Sequence, residues 1–383
     1  MGFFGKVFFG GAVAFVALAG CSSSNSIKAS NDGGTTSGSC AAPPTLSAAT
    51  SSFCSSCSFP AGADPTTCSA VRDLNACCAW VQEPTKELTA STGLHNFSIA
   101  DSTYKPNLGC LTAPPSSGAP QTVTLKGYLK LFSSGGDSAG VKIEIYKEGD
   151  NGGLGALVGA AVTTSKDDMA DPPQMPLVTW LNKCPPEGCK FRSFTYAGVP
   201  TETPLIIKTS DASASGTWAD LYDYNIYFAN GSVDPGTMTV KYDPSALAAT
   251  DIGVVAATVG ATIKAGKGLI AGEVHDCIVP KPGDYAQEVR LSGAMVDSDQ
   301  PHDSQMFYFT DNEADPLPDL NNKSGTSRLG LFGAINLPTG VPIRLSAVGR
   351  SNGADVLLGT YVVQTFPGAV TALSFRGRRP SQK

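Results

Sequence analysis

The sequence predicts a mainly β protein in which two tandem antiparallel β-sandwich domains follow a small cysteine-rich helical segment. Three observations predict it. From Thr122 onward, apolar and polar residues alternate in short runs separated by turns rich in Gly, Asp and Pro, which is the period of half-buried strands. The strand pattern occurs twice, with matching landmarks in each copy. Ahead of both copies, residues 40–110 hold seven cysteines among Pro, Ser and Thr with few large hydrophobes, so this segment needs cross-links to hold together.

The chain opens with one basic residue, Lys6, and an apolar stretch from Val7 to Ala19 that is too short for a permanent membrane span. We read residues 1–20 as a signal peptide. Its end, Leu18-Ala19-Gly20-Cys21, resembles the lipobox of bacterial lipoproteins. The resemblance implies that the Cys21 thiol receives a diacylglycerol and that cleavage leaves Cys21 as the new N-terminus. Stable anchoring takes more than one acyl chain, at about 0.8 kcal/mol per buried methylene. Ser22 in place of Asp after the cysteine implies outer-membrane sorting if the host is Gram-negative. The alternative is an ordinary secretory signal with a chance cysteine.

Residues 21–39 have almost nothing apolar to bury and cannot offset the entropy of ordering, so they form a flexible tether. A Gly/Ser-rich coil of that length reaches about 20–25 Å. Within 40–110, Val71, Leu74, Cys78 and Val81 recur at helical spacing and predict about three helical turns between Ser69 and Pro84.

The first sandwich is expected over 119–242 and the second over 267–378. Val123, Leu125, Leu129 and Leu131, then Val141, Ile143 and Ile145, then Tyr222, Tyr224, Ile226 and Phe228, then Met238, Val240 and Tyr242 carry the alternation in the first. Residues 243–266 are expected as a connector helix, with Asp243 capping, Pro244 in the first turn, and Ala248, Ile252, Val255 and Val259 on one face.

The two β regions align as an internal repeat. Phe194–Pro200 matches Phe332–Pro338 without gaps, and Pro204-Leu205-Ile206-Ile207 matches Pro342-Ile343-Arg344-Leu345. Leu125-Lys126-Gly127 corresponds to Ile270-Ala271-Gly272, and Val141-Lys142-Ile143 to Val289-Arg290-Leu291. On these residues each unit resembles the carboxypeptidase-regulatory-like, or transthyretin-like, domains, small Ig-like β-sandwiches appended to many exported proteins. The resemblance implies an accessory or structural role without chemistry of its own. The first unit departs from the family by a long insertion around Asp167 to Cys189. The signal, the cysteine-rich segment and KGLIAGEVHDC at 267–277 also look like a group of uncharacterised Gram-negative lipoproteins.

Composition excludes some functions. The net charge is -6, from 27 basic and 33 acidic side chains mixed along the chain, which leaves no electrostatic footprint for nucleic acid. Eleven cysteines point to an oxidising compartment, and with Cys21 lipidated the other ten form an even set. Cys184 and Cys189 enclose four residues and are the candidate local disulfide. That leaves Cys277 as the outside partner for the odd set in 40–110.

No catalytic residue and no cofactor are expected. The three histidines, His95, His275 and His302, sit in no HExxH or HxxE pattern, whereas catalytic zinc needs about three converging ligands. His275-Asp276-Cys277 offers ligand types, but Cys277 is better used in a disulfide, so no metal site is assigned. Cys54-Ser55-Ser56-Cys57 has redox spacing without a surrounding βαβ pattern. The acidic run Asp297, Asp299, Asp303, Asp311, Glu313, Asp315 and Asp319 matches no EF-hand loop. No G-x-S-x-G elbow is present. The expected function is a membrane-anchored structural or interaction module of the cell envelope, with the membrane and envelope proteins or glycans as partners. The alternative is a glycan-binding module in which Trp218, Tyr222 and Tyr224, with Trp180 and Tyr227, present flat rings to sugar; period-two tyrosines in a strand are more often core and cross-strand packing.

Overall fold

A computed structural model describes residues 95–97, 106–111, 118–132, 136–171, 190–213, 215–277, 290–298, 300, 306–312, 316–322, 325–351 and 354–376. The expectations for the signal peptide, Cys21, the tether, the helix near Ser69, the Cys54–Cys57 pair and the Cys184/Cys189 loop lie outside these residues. The described residues all belong to one compact unit, Gly38–Lys383.

The strands in chain order are β1 (His95–Phe97), β2 (Thr122–Tyr128), β3 (Lys130–Phe132), β4 (Val141–Glu148), β5 (Leu154–Thr163), β6 (Ala170–Asp171) and β7 (Phe191–Pro200). They continue with β8 (Leu205–Asp211), β9 (Trp218–Ala219), β10 (Leu221–Ile226), β11 (Thr239–Lys241) and β12 (Ser245–Ala248). After helix α1 (Ala249–Thr258) come β13 (Gly268–Val274), β14 (Arg290–Ser292), β15 (Met295–Ser298), β16 (Phe307–Phe309) and β17 (Pro318–Asp319). The last four are β18 (Leu331–Leu337), β19 (Ile343–Ser351), β20 (Ala354–Val363) and β21 (Val370–Phe375). The protein is mainly β, as expected. Among the described residues, no helix is long and apolar enough to cross a membrane.

The alternation read from the sequence becomes sidedness. In β4, Val141, Ile143 and Ile145 are fully buried while Lys142, Glu144 and Tyr146 are half-buried. Their apolar faces meet those of a second sheet, so Val123, Leu125, Tyr196 and Val199 share a core with Ile143, Ile145, Leu205 and Ile207.

Part of the sequence match carries through to register; the match of Val141–Ile143 to Val289–Leu291 does not, because β4 pairs with β8 while β14 pairs with β1 and β15 is the strand that pairs with β19. Leu125 stands opposite Tyr196 and Gly127 opposite Phe194. At the aligned positions, Ile270 stands opposite Ala334 and Gly272 opposite Phe332. Both ladders also slip at the same place, after Val123 in β2 and after Gly268 in β13. A final strand then runs parallel to each first strand, with Val240 beside Leu125 and Thr371 beside Ile270. The glycines in these first strands have a steric cause. A β-carbon on Gly127 would stand 1.9 Å from the Tyr242 carbonyl oxygen, and one on Gly272 would stand 2.0 Å from that of Leu373.

The two regions share a sheet. A nine-stranded sheet runs β17-β16-β18-β13-β21-β10-β8-β4-β5, and its middle joint is the parallel pairing of β10 with β21. One buried cluster accordingly combines Ile206, Tyr222 and Tyr224 with Ile270, Phe332, Leu345 and Tyr361. Joining β10 to β21 satisfies the backbone groups that two separate sheet edges would leave open.

The connector differs from its expected form. Ser245–Ala248 is a strand, paired with β3 and β9, and the helix begins only at Ala249 with Ala248 as its N-cap. Asp243 does not cap it; its carboxylate accepts from the Tyr128 amide and stands 3.8 Å from Lys130 Nζ. Sheet pairing therefore overrides a local helix signal at Asp243-Pro244. The predicted face survives in part, with Ile252 and Ala256 buried and Val255 and Val259 packed beside them.

Candidate functional site

At the end of β13 the chain leaves the core as Glu273-Val274-His275-Asp276-Cys277. Strand alternation buries Val274 in the core, and the His275 amide donates to the Phe375 carbonyl, 2.8 Å away, which fixes this end beside β21. Arg290 from β14 and Arg376 just past β21 arrive at the same place.

Glu273 is the centre of the group. Its Oε1 accepts from Arg290 at 2.9 Å, its Oε2 lies 2.7 Å from His275 Nε2, and Arg376 stands 4.0 Å away. Burial would raise the pKa of this carboxyl, but Arg290, His275 and Arg376 reverse that and hold it far below the usual carboxylate range. An ionised, fully engaged carboxylate has no proton to donate as a general acid. His275 spends Nε2 on Glu273, and Asp276 accepts from the Asn107 amide at 3.1 Å. Among the described residues, no group of three or more His, Cys, Asp or Glu side chains is arranged to hold a metal ion. The cluster ties β13, β14, the end of β21 and the 106–111 segment together.

The residues proposed for sugar stacking are dispersed. Trp218 is 8% exposed, packs in the first core, and its Nε1 donates to the Ala139 carbonyl at 3.3 Å. Tyr222 and Tyr224 belong to a different core. Tyr222 stacks on Phe366 with centroids 3.8 Å apart, and Lys208 Nζ lies 5.2 Å from its ring centroid. Tyr224 is fully buried, and its hydroxyl donates to the Gly152 carbonyl at 2.7 Å. Burial pushes the Tyr224 phenol above its ordinary range. The three rings therefore form no common open face.

The described members of the acidic run are also separate. Asp297 accepts from the Ser298 amide, Asp311 from the Arg328 amide and Asp319 from the Asn321 amide, each at 2.7–3.0 Å. Asp299, Asp303, Glu313 and Asp315 lie outside the described residues, as do His302 and Trp180, and the side chain of His95 is not described. Sequence reading did not find Glu273, Arg290 and Arg376 as a group. The available signal was a lone acid inside the otherwise apolar β13.

The 106–111 segment reaches the same end of β13. Leu111 is buried against this core and Leu108 packs beside it. The Cys277 amide donates to the Asn107 carbonyl at 2.9 Å, and the Cys277 sulfur is in a disulfide. No family model matches the chain, and no curated protein is similar to it.

Proposed function

We propose that the protein is an exported lipoprotein, held at the outer membrane of a Gram-negative envelope by a lipid on Cys21, and that its β body is a non-catalytic structural or interaction module. Each repeat unit is read as a transthyretin-like sandwich. The anchor rests on the lipobox-like Leu18–Cys21 and the polar tether behind it. The non-catalytic reading rests on one observation: the carboxylate of Glu273 is engaged by His275 on its own strand end and by Arg290 of β14, while Asp276 accepts from the Asn107 amide.

The experiment for the anchor is metabolic acyl labelling with membrane fractionation of wild type and Cys21→Ser. Label and membrane association in wild type, both lost in the variant, support the reading. Labelling that persists without the Cys21 thiol defeats it. Glycan recognition by Trp218, Tyr222 and Tyr224 is the second reading. The enclosure of Trp218 and Tyr224 counts against it, and a glycan array on the folded protein decides it.

A further inference from the structure

We infer that the His275–Cys277 end of β13 is the seat of the chain's own cysteine-rich segment, and that the Cys277 disulfide is the covalent part of that seat, made with a cysteine of residues 40–110. Three independent contacts bring the downstream end of that segment and the residue after it here, beside a cysteine that is itself bonded. β1 pairs antiparallel with β14, setting His95 opposite Ser292 and Phe97 opposite Arg290. Asn107 exchanges two hydrogen bonds with this end, accepting from the Cys277 amide and donating its own amide to Asp276. Leu111 enters the core that holds Val274, with Leu108 packed against it. Cys277 is disulfide-bonded.

The cysteine arithmetic selects the same partner. Seven cysteines lie between Cys40 and Cys110, so one is left over after pairing within the segment, while Cys184 and Cys189 are spaced to close their own loop. Cys110 stands three residues past Asn107 and is the expected partner. Closing the bond joins two thiol sulfurs, releases two protons and passes two electrons to a protein disulfide of an oxidising compartment. The segment next to the proposed anchor is then fastened to the second repeat, although the first repeat follows it in sequence. The whole first repeat sits inside the covalent loop so formed.

The test uses the full-length protein, alkylated before denaturation, digested without reduction and mapped by mass spectrometry. We expect the Cys277 peptide joined to a peptide from 40–110, with Cys110 as the linked residue. A Cys277 peptide joined to Cys184 or Cys189, joined to a second copy of the chain, or alkylated as a free thiol overturns the inference. In the Cys277→Ser variant, one newly alkylated thiol should appear within 40–110. Its appearance at Cys184 or Cys189 overturns the inference as well. Neither readout depends on lipidation or on the absence of catalysis.

Discussion

The Tyr361 hydroxyl donates to the Glu148 carboxylate, linking two residues 213 positions apart across the joint between the repeats. Gln364 holds the same turn once directly and once through Tyr224, whose hydroxyl donates to the Gly152 carbonyl. Gln364 Nε2 reaches the Asn151 carbonyl, and the Gln364 amide donates to the Tyr224 hydroxyl, each at 3.4 Å. Gly152 makes the fit possible: its φ is +71, and a β-carbon there would stand 2.5 Å from the Val362 carbonyl oxygen. We expect Tyr361→Phe to keep the buried ring and lose about 1.5–3 kcal/mol, the range for a hydrogen bond to a charged group. Urea denaturation measures it, and an unchanged midpoint would show that the bond contributes nothing to the joint.

Gly127 and Gly272 occupy the same position of the two repeats, each pressed by a carbonyl of the parallel final strand. Alanine at either site must push that strand away, at a cost of about 3 kcal/mol or more. Gly253 in α1 is the control, since a β-carbon there meets nothing within 4 Å. Gly253→Ala should raise stability by about 0.5–1 kcal/mol. Equal effects at all three sites, measured by denaturant titration, would refute the steric account.

Glu273 predicts a pH dependence. Its folded-state pKa lies below the ordinary 4.5, so its stabilisation is complete above that pH and is lost as pH falls through the folded value. Glu273→Gln leaves Arg290, Arg376 and His275 without their central anion and should cost about 3 kcal/mol near neutrality. The difference between wild type and variant should shrink in acid. A difference that stays constant from pH 7 to pH 3 would contradict the assigned role.

Trp218→Ala should cost about 3–5 kcal/mol, because the ring is core and its Nε1 is hydrogen-bonded. If glycans bind the wild type and the variant equally while stability drops, the ring serves packing alone. A folded Trp218→Ala protein that selectively loses glycan affinity would restore the sugar-binding reading.

Strands such as β2 and β4 were legible because their burial follows a local period, whereas β15, β16 and β18 are buried at every position and carry no such alternation. Val141, Ile143 and Ile145 alternate in sequence and are buried in turn. The repeat was legible from the gap-free match of Phe194–Pro200 to Phe332–Pro338, and Gly127 and Gly272 stand opposite Phe194 and Phe332 in the two ladders. Two features depend on partners distant in sequence and were not legible. Asp243-Pro244 reads as a helix start, but the following residues find β3 and β9, and the Asp243 carboxylate finds Tyr128. Tyr222 and Tyr224, by contrast, read from their period more as core than as platform, and they pack on Phe366 and Tyr361 of the other repeat. The Glu273 cluster was hidden for the same reason, since Arg290 and Arg376 follow Glu273 by 17 and about 100 residues.

The parallel pairing of β10 with β21 makes one continuous sheet of the two β regions, and it is the claim that matters most. Native-state hydrogen exchange of the full-length protein measures it directly. The account predicts that slow amides in β4 and β8 of the first repeat and in β13 and β18 of the second open with one common free energy, equal to that of global unfolding. Two well-separated opening energies, one for each repeat, would contradict it.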